Sequence, residues 1–317
     1  MPDAHRHAAT WARLGALALL WGSGFLLIKL ALRGFTPYQI VLVQLTLGAV
    51  VLIAFLYLVG GSLPRGRLIW VHLSVAALLA NITPYLLFAI AERQIDSAVA
   101  GVINATTPLF TVIVAVLIGH EARPARIRLV GLVVGIAGTA ILLAPWKSGT
   151  PFTSWGSVAA LTASLCYAIS YVYMDRFLVS RQLSPITLAG AQLVTASGLT
   201  VLAFPFARGW DAPTWRLDAL VALLGLGILS TGIAYVLNYR IIATDGASAA
   251  SLVTYLIPIT AVILGAIVLR EKPTVHAIIG MVVILAGVTL ARRGVNAHTL
   301  EDPIQARRNR NLRRTAN

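Results

Sequence analysis

The stretch Trp11–Leu32, WARLGALALLWGSGFLLIKLAL, carries only Arg13 and Lys29 as charges, both toward its ends. Crossing roughly 30 Å of hydrocarbon takes about 20 apolar residues in a helix, so the stretch reads as a membrane span. It runs on too long for a signal-peptide core, and no small-residue cleavage site ends it. The pattern then recurs at Tyr38–Val59, Ile69–Ala91, Ala98–Gly119 and Ile127–Ala144. A second set follows at Trp155–Leu178, Ile186–Phe206, Leu217–Tyr239, Ala247–Leu269 and Val275–Ala291. Between them lie turn and charge signals such as Arg33-Gly34-Phe35-Thr36-Pro37 and Arg270-Glu271-Lys272-Pro273. The expected fold class is an all-α integral membrane protein with ten transmembrane helices.

Composition agrees. Charged residues make up 11% of the 317, against roughly 25% in a soluble domain. Hydrophobic residues reach 58%, and the mean hydropathy is +0.83. That leaves too little polar material to coat a soluble particle. The net charge of +14 invites comparison with nucleic-acid binders, but no folded binding module accompanies it. Arg307, Arg308, Arg310, Arg313 and Arg314 instead form a tail after the last span, suited either to anionic headgroups or to solvent. The expected partners are therefore the lipid bilayer and a small-molecule substrate, with no nucleic acid, no cofactor and no metal. Cys166, the single cysteine, excludes an intrachain disulfide.

Orientation follows from the gaps. With the N-terminus in the cytoplasm, the inner segments of the first half hold Arg6, Arg13, Arg65, Arg67, Arg123, Arg126 and Arg128. Its outer loops hold Arg33, Arg93 and Lys147, as the positive-inside rule prefers. Ten spans return the basic tail to the same side. Arg208, Arg216, Arg270 and Lys272 of the second half fall outside and count against it.

The chain repeats itself. Pro37 and Gln44 recur as Pro185 and Gln192, a shift of 148. Tyr85, Pro108 and Glu121 recur as Tyr235, Pro258 and Glu271, a shift of 150. Gly131 and Gly138 recur as Gly280 and Gly287, a shift of 149. Five spans per half is an odd number, so the halves must lie upside down to each other. Inverted repeats are the architecture of alternating-access carriers, with substrate held near the midplane between them; a duplication that only built a stable bundle is the bland alternative. The expected organisation is residues 1–10 as a cytoplasmic N-terminus, 11–144 and 155–292 as the repeats, 145–154 as linker and 293–317 as the basic tail.

Trp21-Gly22-Ser23-Gly24-Phe25-Leu26-Leu27-Ile28-Lys29 resembles the first-helix signature of the drug/metabolite transporter superfamily, in its EamA-domain branch. The stretches ending at Glu121 and Glu271, each followed by a glycine-bearing helix, resemble the close of each EamA repeat. The resemblance covers roughly residues 11–292. It implies a ten-helix inverted-repeat carrier in a bacterial-type plasma membrane, commonly an exporter of amino acids or related metabolites. It also implies a central cavity lined by spans one, three, four, six, eight and nine.

Polar residues inside spans point the same way, because in lipid they must face protein or water. Asn81 and Tyr85 share one helix face beside Pro84; Asn104 and Thr107 share another with Pro108. Tyr167 and Tyr171 mark span six, Tyr235 and Asn238 span eight, and Tyr255 with Pro258 span nine. Tyrosine offers a flat apolar face with one polar edge, and asparagine and threonine supply neutral donors and acceptors. Each proline frees a backbone carbonyl and can bend its helix. Hydrogen bonding between helices is the alternative use of such groups. Trp21, Phe25 and Lys29 follow one narrow stripe, which sets Lys29 at the outer mouth of the cavity if Trp21 faces it; snorkelling to headgroups is the alternative.

Other features read as structural. The glycines of spans five and ten suit close helix packing, within one chain or at a homodimer contact. Glu121 and Glu271 sit among cations at span ends and suit ion pairing, with proton coupling as the alternative. A membrane enzyme would need a nucleophile with its base or a metal set; His120-Glu121 opens like a zinc motif, but Pro124 replaces the second histidine. A channel would need a ring of like charges or a carbonyl filter, and neither is present. The alternative substrates for a carrier are drugs or other small organic solutes.

Overall fold

A computed structural model describes residues 2–118, 126–143, 154–178, 181, 183–206, 211–245 and 253–299. Most of the linker, Glu121 and the arginines of the tail lie outside them. Among the described residues the chain forms ten helices: α1 Pro2–Ala31, α2 Pro37–Leu58, α3 Arg67–Ala91, α4 Ser97–Leu117, α5 Arg126–Leu143, α6 Trp155–Phe177, α7 Pro185–Phe206, α8 Leu217–Thr244, α9 Val253–Val268 and α10 Val275–Thr299. Seven contain a long apolar span, and α5, α9 and α10 contain shorter apolar stretches. Large side chains such as Leu58 and Leu117 are bare on the outside. Lipid, not water, is the solvent that tolerates them. Three helices run well past their expected boundaries: α1 is already helical from Pro2, α8 runs past Tyr239, and α10 runs past Ala291 to Thr299, into the expected tail.

Hydrogen bonds between links fix which helix ends share a side. Arg13 donates to Thr244 Oγ1 at 3.0 Å, so the start of α1 and the end of α8 lie together. At the opposite end, Thr214 N–H donates to the Gly34 carbonyl at 2.9 Å. There too Gly156 N–H donates to Gln94 Oε1 at 2.8 Å, and Ser97 N–H donates to Glu271 Oε1 at 2.9 Å. Thus α6 starts where α1 ends. The two halves are inverted, as the odd span count requires. Packing obeys the same exchange: α1 lies on α9 as α6 lies on α4, and α3 lies on α6 as α8 lies on α1.

The repeat is visible down to local chemistry. Thr36 caps α2 by accepting from Gln39 N–H, with Pro37 in the first turn. Ser184 caps α7 by accepting from Thr187 N–H, with Pro185 in the first turn. Both follow the rule that a hydroxyl satisfies an orphan amide while proline occupies a position needing none. α3 widens into a π-helical segment at Leu78–Ile82, and α8 does so at Leu226–Ile233. Their starts are 148 residues apart.

α5 and α10 pack on each other through their glycines. A Cβ added at Gly138 would stand 2.6 Å from Ile284 N, and one at Gly280 would stand 2.7 Å from Leu142 N. The glycine stripes therefore serve an intrachain contact. Glu271 corrects the expectation of ion pairing at a span end. Its carboxylate accepts from Ser97 N–H, Ser97 Oγ and Ala98 N–H at 2.9–3.0 Å. It occupies the amide-rich start of α4, where orphan N–H groups and the helix dipole favour an anion.

Candidate functional site: a central cavity between the repeats

Between the halves lies a cavity of about 570 Å³. It is lined from α1 by Trp21, Gly24, Phe25 and Ile28, and from α3 by Tyr85 and Phe88. α4 adds Asn104, Thr107 and Pro108, α6 adds Tyr167 and Tyr171, and α8 adds Tyr235 and Asn238. Thr254 and Ile257 line it from α9. Among the described residues, no charged side chain lines it. The wall continues through Thr111, Ile242, Val253 and Val288, which lie toward the end of the bundle that holds Arg13. At the Lys29 end it stops at Ile28 and Phe88.

Aromatic rings set the walls. Trp21 meets Tyr235 edge to face, with centroids 6.2 Å apart. Phe25 meets Phe88 in the same way at 5.5 Å, and Phe88 lies 6.2 Å from Tyr167. Such edge contacts suit the ring quadrupoles and stiffen the wall. Tyr85 and Tyr235, a repeat-related pair, interact with each other.

The π segments explain how these side chains are held. Gln44 of α2 donates to Thr231 Oγ1 at 3.0 Å, and Thr231 donates to the Leu226 carbonyl five residues back. Its repeat mate Gln192 of α7 donates to Asn81 Oδ1 at 2.6 Å. Each glutamine thus grips the opposite repeat at its widened turn, four residues before a cavity tyrosine. π segments of this kind recur at functional sites because they re-aim side chains.

Proline acts here too. The carbonyls freed by Pro108 and Pro258 belong to Asn104 and Thr254, and both residues line the cavity. α4 breaks at Ala105–Thr106 just ahead of Pro108, whereas α9 continues through Pro258. Pro84 lies two residues after the π segment of α3 ends, in the first turn of the α-helix that follows. The Thr107 hydroxyl is buried without a hydrogen-bond partner, a polar atom left for something that enters.

Three of the expected residues lie elsewhere. Asn81 is fully buried behind Tyr85, and its Nδ2 makes no hydrogen bond. Tyr255 packs against the main apolar core. Lys29 lies one turn beyond Phe25, outside the cavity, and donates to the backbone carbonyls of Glu92 and Ile95 at 2.6 and 2.7 Å. It lines a separate pocket of about 490 Å³ with Arg33, Glu92, Arg93, Asp96 and Glu271. Sequence reasoning passed over Glu92, since a charge directly after an apolar run resembles an ordinary span boundary. It also left the roles of Gln44 and Gln192 open, although their recurrence in otherwise plain spans was the available signal.

Comparison with known proteins agrees with this architecture. The model of the EamA-like transporter family matches residues 10–144 and again 154–293. A transporter of Archaeoglobus fulgidus is 25% identical over 289 residues, covering 90% of this chain and 97% of its own. The inner membrane transporter YedA of Escherichia coli K12 is 27% identical, covering 80% of each. YdfC of Bacillus subtilis, also a transporter, is 24% identical and covers 87% and 89%. One solved structure superposes with a TM-score of 0.61 at 23% identity, covering 93% of this chain and 99% of that one, and so shares the fold. With two matching domains and a ten-helix bundle around a cavity, the chain is a membrane transporter, not an enzyme, and it belongs to the EamA-like transporter family.

Proposed function

We propose that the protein is a secondary carrier, independent of ATP, that exports amino acids or related small metabolites by alternating access. The observation that carries this reading is the cavity itself. It lies between inverted repeats, reaches toward one end only, and combines aromatic walls with neutral polar groups. The orphaned Thr107 hydroxyl and the carbonyls of Asn104 and Thr254 supply a donor and acceptors for an amino or carboxyl group. Its volume, about 570 Å³, falls in the range of small-molecule sites. The heavily apolar wall favours an apolar or aromatic solute, and that is also the observation behind the alternative, a carrier of drugs or other organic solutes.

The test is untargeted metabolomics on medium from overexpressing and deleted cells, followed by uptake into proteoliposomes. A metabolite that rises with expression and shows saturable flux supports the carrier. Flux that never saturates points to a channel, and no difference in the medium overturns export.

The same reading places the Lys29 end outside and the protein in the inner membrane, as in the relative YedA. Arg13, Arg65, Arg67, Arg126 and Arg181 then lie on the cytoplasmic side, where positive charge belongs. In a Cys166→Ala background, Lys272→Cys reacts with an impermeant thiol reagent on intact cells and Ser62→Cys does not. The reverse pattern inverts the protein.

A further inference from the structure

The pocket at the Lys29 end holds a group that takes no part in the central cavity. Glu92 is 1% exposed, and both of its carboxylate oxygens are buried without a hydrogen-bond partner. It follows the last turn of α3, one turn past Phe88, and lines the 490 Å³ pocket. Its charged and titratable neighbours there are Lys29 from α1, Arg33 from the α1–α2 link, Arg93 and Asp96 from the α3–α4 link, and Glu271 from the α9–α10 link. None of them satisfies it. Lys29 is committed to the carbonyls of Glu92 and Ile95, and Glu271 is committed to the start of α4. At the α6 start, Gly156 N–H donates to Gln94 Oε1.

We propose that Glu92 is a proton-binding site that latches the Lys29 end: the protonated carboxyl keeps this end closed, and release of the proton opens it. An ionised carboxylate buried without a donor costs several kcal/mol, so the closed form holds Glu92 neutral. Burial raises its pKa well above the ordinary carboxylate value, Lys29 opposes the rise and Glu271 adds to it. Asp96 is raised for the same leading reason. The Lys29 ammonium ties the end of α1 to the end of α3 through two carbonyls, and an ionised Glu92 finds its missing donors only where water enters the pocket. Hydration of the opened pocket then stabilises the carboxylate. A lone metal cation fits the pocket poorly, because Lys29 already supplies its positive charge.

The direction follows from linkage. The pKa of Glu92 is higher in the closed state than in the open one, so closure is favoured at acid pH and fades as pH rises through the closed-state value. Between the two values the ratio of closed to open protein falls about tenfold per pH unit. The latch rests on the alternating-access reading only in requiring that this end opens, and no substrate is needed to examine it.

The experiment is electron–electron double resonance on spin labels at Ala212→Cys and Lys272→Cys, in a Cys166→Ala background in nanodiscs, across a pH series. The protein with native Glu92 gains a longer-distance population as pH rises. Glu92→Gln, a mimic of the protonated form, stays at the short distance throughout. Asp96→Asn keeps the pH response, and Lys29→Met, checked for monodispersity, raises the open fraction at every pH. Unchanged distances with pH where the ends do separate overturn the latch alone. So does a Glu92→Gln protein that titrates like its parent, a response abolished by Asp96→Asn, or a Lys29→Met protein as closed as its parent. Labels that never separate in any variant overturn both the latch and alternating access.

Discussion

The two ends of the bundle are related by the repeat yet differ in chemistry. At the Lys29 end, Lys29 ties α1 to α3, Glu271 caps α4, and Phe25 with Phe88 closes off the cavity. At the Arg13 end, the residue 150 positions after Glu92 is Ile242, which lines the cavity wall. The spacing of 148 that relates Thr36 to Ser184 carries Lys29 to Phe177. Phe177 stacks on His72 of α3, with ring centroids 5.1 Å apart, and ties α6 to no counterpart of the α3 end. Duplication supplied a symmetric scaffold of caps, π segments and proline positions. Among the described residues, the Lys29 ties, the Glu271 cap and the buried Glu92 all lie at one end, and the cavity stops short of that end.

The sharpest way to break this comparison is to remove the Glu271 cap. Glu271→Ala leaves Ser97 N–H and Ala98 N–H without their charged acceptor in a part-buried place. Hydrogen bonds to ionised groups contribute roughly 1.5–3 kcal/mol each, and the two share one carboxylate, so a loss of about 3 kcal/mol is expected. Thermal unfolding in detergent measures it, with Glu271→Gln intermediate. An unshifted melting temperature removes the cap from the account of how this end is closed.

Next in size is the aromatic pair at the cavity. Tyr85→Leu and Tyr235→Leu keep an apolar side chain but remove the ring together with its hydroxyl. Transport efficiency is expected to fall about tenfold, the equivalent of one hydrogen bond of roughly 1.4 kcal/mol, with membrane expression near that of the parent. The two variants occupy repeat-related positions. Equal losses mean that substrate uses the cavity symmetrically, and unequal losses show which repeat orients it. Parental rates and affinities in both remove these tyrosines from the site.

The fold was legible because its determinants are local or periodic. Apolar runs, turn residues such as Thr36-Pro37, and recurring pairs such as Gln44 and Gln192 survive in a single sequence. Cavity membership was largely legible as well: Tyr85, Asn104, Thr107 and Tyr235 are polar residues inside apolar spans, open to either a cavity or a helix-to-helix hydrogen bond, and all four line the cavity. Rotation within a helix was not. Asn81 lies one turn from Tyr85 but turns to Gln192, because Asn81 sits inside the π segment, where the angular step differs from that of the α-helix that carries Tyr85. Glu92 was hidden for a different reason. Its burial comes from α1 and the α9–α10 link, which meet it only in three dimensions.

The smallest effect separates the two glutamine contacts, which look equivalent in sequence. Gln44 donates to Thr231, whose hydroxyl keeps its own bond to the Leu226 carbonyl when the glutamine is lost. Gln192 donates to Asn81, whose Nδ2 already lacks a partner. Gln192→Leu therefore strips a fully buried amide of its hydrogen bond to α7, whereas Gln44→Leu leaves a satisfied hydroxyl. Hydrogen bonds between membrane helices average about 0.6 kcal/mol, and an unsatisfied buried group costs roughly 1–3 kcal/mol. Gln44→Leu is expected near the first figure and Gln192→Leu within the second range, both read from unfolding in a graded denaturing detergent. The double variant Gln192→Leu with Asn81→Leu recovers part of the loss, because it removes the stranded amide as well. Equal costs for the two single variants would mean that Asn81 finds another partner.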